Sequence, residues 1–125
     1  MITEDYCSYE VAKLLKEKGF DAPCLQMWEC GPDKRYLFRL QSSCYQNITE
    51  EDSCLAPTLQ MAMKWLREVH GLFIWLGHTA GKGLPWYYEI HGISDGKVKH
   101  IGGIQCGSYE VACESALKYS LENLI

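Results

Sequence analysis

Seven cysteines and four histidines are among the residues of this chain that could act as nucleophiles, bases or metal ligands. The cysteines, Cys7, Cys24, Cys30, Cys44, Cys54, Cys106 and Cys113, are irregularly spaced. Their nearest pairs, Cys24/Cys30, Cys44/Cys54 and Cys106/Cys113, lack the close spacing of structural zinc ligands. His70, His78, His91 and His100 are scattered, so the spacing predicts no metal site. A Cys–His catalytic pair meets only in space. His91 and His100 flank a hairpin turn and are candidates for neighbours, but the simplest reading of them is a pair of half-exposed strand residues. The run Gly77 to Gly83, GHTAGKG, is one residue short of a phosphate-binding loop. Gly83 stands where that loop needs Ser or Thr for magnesium, and a strand follows where the loop would open a helix. Glu50, Glu51 and Asp52 read as a solvated loop. No catalytic residue, no metal ligand set and no cofactor site follow from these patterns.

The aromatic residues Trp75, Trp86, Tyr87 and Tyr88 carry more. Consecutive residues of a strand point to opposite faces, so at least one of these rings leaves the core side. If Trp75 faces Trp86 across a hairpin, the two strands send large apolar groups to both faces. The four are the candidate interaction surface, and a second copy of the chain is the simplest cover for it.

The elements that position these residues follow from periodicity. The segment Ala56 to Ile74, APTLQMAMKWLREVHGLFI, reads as an amphipathic helix running into a buried strand. Pro57 suits a first helical turn. Leu59, Ala62, Met63, Leu66 and Val69 form its apolar stripe, and Gly71 ends it. Ser8 and Ser108 cap a first and a last helix. Both begin with the word Ser-Tyr-Glu-Val-Ala, at 8–12 and 108–112, which we read as reuse of a good helix start rather than a duplicated domain. The expected helices are 8–18, 57–70 and 108–123. The expected strands are Leu25 to Cys30, Tyr36 to Leu40, Leu72 to Leu76, Pro85 to Ile93 and Val98 to Ile104. Gly31 to Lys34 and Ser94 to Lys97 are tight turns. Ser42 to Leu55 is a long acidic loop, the expected place for disorder or contact with a partner. Leu72 to Leu76, apolar throughout, calls for cover on both faces, by the chain itself or by another subunit. Leu14, Leu15, Leu59, Met63, Leu66, Ile74, Leu117 and Leu121 are expected in the core, and Leu124 extends the buried stripe of the last helix. The order α-β-β-α-β-β-β-α predicts a single α+β domain over 1–125, with helices packed on a mostly antiparallel sheet of about five strands.

Composition narrows the partners. The net charge is −4, with 12 Lys and Arg against 16 Asp and Glu, and no basic run marks a phosphate-backbone site. The last 69 residues have the element order of a double-stranded RNA-binding domain, yet the start of their final helix carries Glu110 and Glu114 where that module needs basic residues. The acidic N-terminus is not a signal peptide, and no apolar run approaches the length of a membrane span. The odd number of cysteines without a secretion signal predicts reduced thiols and a cytoplasmic protein.

Three stretches carry a family resemblance: Tyr6 to Asp21 (YCSYEVAKLLKEKGFD), Ala56 to His70 (APTLQMAMKWLREVH) and Ala116 to Ile125 (ALKYSLENLI). With them the chain resembles a family of small uncharacterised proteins from prophages and mobile elements of gut bacteria. The resemblance implies an intracellular bacterial or phage protein and supplies no catalytic residue. The expected function is that of a non-enzymatic accessory or protein-interaction protein, self-associating as a homodimer. The alternatives are a nucleic-acid-binding module and a small enzyme with a spatial Cys–His pair.

Overall fold

A computed structural model describes residues 2–30, 35–44, 53–81, 83–94 and 96–125. The class is α+β, as expected. The described residues form three helices and six strands in the order α-β-β-β-α-β-β-β-α. The sheet differs from expectation: there are two antiparallel sheets of three strands, not one of about five. The chain divides into two compact units, Met1–Ala62 and Met63–Ile125.

In the first unit, α1 (Tyr9–Glu17) starts where the Ser8 hydroxyl accepts from the Val11 N–H at 3.3 Å. It ends in a Schellman motif. Gly19, at φ 85°, donates to the Lys16 carbonyl, and Phe20 donates back to Leu15. Phe20 is thereby tucked in and buried. The sheet has the order β2-β1-β3, formed by β1 (Cys24–Cys30), β2 (Arg35–Cys44) and β3 (Cys54–Leu55). The returning strand is longer than the expected Tyr36 to Leu40, and β3 was not expected at all. Both ends of the supposed loop 42–55 are therefore strand, while its middle, 45–52, and the turn 31–34 lie outside the described residues. Trp28 joins sheet to helix: its indole N–H donates to the Cys7 carbonyl at 2.9 Å, and Tyr9 meets it edge-on at 6.5 Å. The Arg35 guanidinium lies 4.0 Å over the Tyr9 ring.

Helix α2 (Leu59–His70) starts two residues later than expected. Thr58, not the Pro57 position, does the capping: its hydroxyl accepts from the Met61 N–H at 3.1 Å, and Pro57 lies before the helix. Leu59, Ala62, Met63 and Leu66 are buried, but Val69, placed in the stripe from sequence, is exposed. Gly71 leaves the helix at φ 66°.

In the second unit, β4 (Leu72–His78), β5 (Trp86–Ser94) and β6 (Lys97–Cys106) form an antiparallel meander in sequence order, and α3 (Tyr109–Asn123) packs against all three strands. Ser108 caps α3 by accepting from the Val111 N–H at 3.1 Å. Ala112, Cys113, Ala116, Leu117, Ser120 and Leu121 form its buried stripe, while Leu124 is half-buried. Two other core expectations are corrected in the same way, since Leu14 and Ile74 are half-buried. The expected turn at Ser94 to Lys97 pairs Ser94 with Lys97, with Asp95 outside the described residues. Gly102 and Gly103 mark a β-bulge in β6. Tyr88 pairs with Ile104 and Ile90 with Ile101, which leaves β6 one residue longer, and Gly103 adopts φ 54°.

Candidate functional site

Cross-strand partners share a face of a sheet, so the register of the second sheet sorts its side chains. Leu72, Ile74, Leu76 and His78 pair with Gly92, Ile90, Tyr88 and Trp86. These form the face toward α3. Trp86 meets Tyr109 of α3 edge-on at 5.4 Å and His78 at 4.7 Å. Tyr88 is buried, and that burial pushes its phenol above the usual tyrosine range, with Cys106 and Tyr119 adding to the shift. The opposite face carries Phe73, Trp75, Tyr87, Glu89, His91 and Ile93 from β4 and β5, with Val98 and His100 from β6.

The four aromatic residues singled out from sequence are thus divided. Trp75 and Tyr87 lie on the open face, whereas Trp86 and Tyr88 belong to the face under α3. Trp75 does not face Trp86: it pairs with Glu89, and Trp86 pairs with His78. Among the described residues nothing covers the second face of the strand Leu72 to Leu76 fully: Phe73 is 52% and Trp75 61% exposed. At the far end of the same face Ile93 and Val98 are 65% and 80% exposed. Tyr87 lies lower. Its ring covers Gly77, its cross-strand partner, so closely that a Cβ there would run into it. An aromatic ring laid over a glycine in this way protects the backbone that the missing side chain leaves bare.

At the centre of this face the structure brings together His91 and His100, candidate neighbours from the sequence, with Glu89, which the sequence reading left apart from them. His91 Nε2 lies 3.3 Å from Glu89 Oε2, and the His91 and His100 rings have centroids 4.8 Å apart with planes inclined at 42°. The three possible ligand atoms all fall within 4.8 Å of one another. His91 and His100 are direct cross-strand partners, and Glu89 is two residues along β5 from His91. The adjacency of the histidines follows from the two-residue hairpin. Glu89 joins them because strand alternation returns it to their face.

The other candidates from sequence are placed differently. The loop from Gly77 is a hairpin connection. Thr79 donates through its N–H and its hydroxyl to the Pro85 carbonyl, and His78 Nδ1 accepts from the Ala80 N–H; Lys82 lies outside the described residues. The thiols of Cys7, Cys24, Cys54, Cys106 and Cys113 are buried, which suits small core side chains better than reactive ones. Cys24 lies beside a pocket of about 200 Å3 in the first unit, lined also by Tyr6, Pro23, Leu25, Ala56, Pro57, Thr58 and Met61. That volume is below the range of small-molecule sites. No described helix is long and apolar enough to cross a membrane. Comparison of the chain with protein-family models, with curated proteins and with solved structures finds no match.

Proposed function

We propose that the protein is a non-enzymatic interaction protein, and that its contact surface is the open face of the β4-β5-β6 sheet, occupied by a second copy of the same chain. The observation that carries this reading is the exposure of Phe73 and Trp75 on the same face as Ile93 and Val98. These are large apolar groups from three adjacent strands on one continuous surface. The charge on the face favours a copy of itself over a strongly charged partner. Its one carboxylate among the described residues, Glu89, sits against His91 in the middle, so two such faces meet without opposing blocks of like charge.

Size sets the strength. Three strands about 4.8 Å apart and some 24 Å long give roughly 350 Å2 of flat area, within the range of the largest patches that monomers carry. Two faces together bury about twice that, below the size of standard stable interfaces. The dimer is therefore weak and depends on concentration. The buried thiols suit a reducing compartment, and the resemblance to prophage and mobile-element proteins supports an accessory role in a bacterial cytoplasm. Nucleic acid is not favoured as the partner, because Glu110 and Glu114 occupy the start of α3.

Sedimentation velocity from low micromolar to submillimolar concentration tests the reading. The mass should rise from monomer toward dimer, and Trp75→Ser should move that transition to higher concentration while leaving the circular dichroism unchanged. A chain that stays monomeric throughout, or a dimer that Trp75→Ser leaves intact, overturns it.

A further inference from the structure

We propose that Glu89, His91 and His100 form a binding site for a divalent first-row transition ion of the zinc type. The site lies at the centre of the face proposed for self-association, but all three of its ligands come from one chain, so metal uptake does not require the dimer. Two imidazoles and one carboxylate are a donor set that suits zinc, copper, nickel or iron and does not suit magnesium or calcium, which take oxygen ligands. The geometry fits this use. With metal–ligand bonds of about 2.1 Å, tetrahedral ligand atoms lie about 3.4 Å apart. Glu89 Oε2 and His91 Nε2 already stand at 3.3 Å. The widest separation within the trio is at most 4.8 Å, so about 1.4 Å of closure completes the set.

That closure is within reach of side-chain rotation alone. His91 and His100 are both exposed, so no packing locks either ring. Gly102 presents no side chain beside His100; a Cβ there would stand 3.5 Å from the ring, and its absence leaves room for the imidazole to swing. The backbone beneath is fixed by the β5–β6 ladder, in which His91 and His100 are direct partners. A metal at this point has three protein ligands and at least one open position, which faces outward from the sheet. Such a position on a flat surface does not exclude water, so the site is one of binding and not of catalysis. A surface Glu–His pair with no metal role is the competing account. It needs only Glu89 and His91, and it leaves the placement of His100 as coincidence.

The test is a titration of the untagged, full-length, reduced chain with Co2+ and Zn2+, followed by absorbance and calorimetry. One ion per chain is expected, with visible cobalt d–d bands and no sulfur-to-cobalt charge-transfer band. His91→Ala and His100→Ala should each weaken binding by at least about tenfold. Glu89→Gln should weaken it as well, and excess Mg2+ should not compete. Because all three side chains are at least partly exposed, circular dichroism of the variants should match that of the parent chain. A variant that fails this control is replaced by a paramagnetic Mn2+ or Cu2+ titration of the parent, in which the His91 and His100 imidazole resonances should broaden first. A thiolate band, equal affinity in the histidine variants, broadening that spares both histidines, or no uptake at submillimolar metal overturns the assignment.

Discussion

Among the described glycines, Gly92 has the least freedom to change. A Cβ at this position would run into the backbone carbonyl oxygen of Gly71, where the chain leaves α2 and enters β4. Backbone cannot swing aside as a flexible side chain can, so Gly92→Ala should destabilise the fold by about 2 kcal/mol or more. Gly102→Ala is the internal control. Its Cβ would meet only the His100 ring, at an ordinary contact distance, and the urea midpoint should barely move. Equal losses in the two variants would show that the close approach at Gly71 is not what makes Gly92 necessary. The sequence exposed some of these residue-level relations and hid others for a definable reason. A two-residue turn sets Ser94 against Lys97, and counting outward from it brings His91 to His100 without further information. The β4–β5 connection is longer and sets no register. The expected Trp75–Trp86 pair is three residues out of step with the observed Trp75–Glu89 pair, and an odd slip moves a side chain to the other face. Under that slip Trp86 and Tyr88 would share the face of Trp75, whereas Glu89 lies on the face of His91 by alternation along β5 alone.

Among the elements, α1 and α3 show how far identical local sequence determines structure. Ser8 and Ser108 cap their helices in the same way, each accepting from the N–H three residues on. Tyr9 and Tyr109 each meet a strand tryptophan edge-on. Here the likeness ends: Val11 is 2% exposed and Val111 52%. The sheets also differ in strand order, β2-β1-β3 against β4-β5-β6. Shared helix starts on differently ordered sheets agree with reuse of a start signal and not with a duplicated unit. Val11→Ala should therefore cost about 2 kcal/mol, and the same change at Val111 within about 0.5 kcal/mol, read from urea unfolding. Similar costs at both positions would mean that Val111 is covered in solution. The helices were legible because their stripes, caps and terminal glycines repeat over several turns. The two-residue β3 was not, since Cys54 and Leu55 are too short a run to show a period. The Thr58 cap is masked in the sequence by Pro57 beside it, which offers its own start signal. Val69 fits the helical period of the stripe, yet it falls in the last turn of α2, where the helix surface opens to solvent.

At the scale of the whole molecule, net charge and the open face act against each other, and this gives self-association a characteristic salt response. Each copy carries a net charge of −4, so two copies repel at long range. The contact itself is built on Phe73, Trp75, Ile93 and Val98, which gain by leaving water and are indifferent to screening. Added salt shortens the Debye length to about 8 Å at physiological ionic strength and to about 3 Å at 1 M, removing the repulsion without weakening the apolar contact. The dimer should therefore become tighter as sodium chloride rises from low to high concentration, and tighter still in sulfate, which strengthens apolar burial. An association held by opposite charges would move the other way, as would one in which a bound polyanion bridged two chains. Sedimentation equilibrium at fixed protein concentration and several salt concentrations reads the sign directly. A fall in mass with rising salt would place the contact on charged groups elsewhere in the chain. A rise that Trp75→Ser abolishes would locate it on the β4-β5-β6 face.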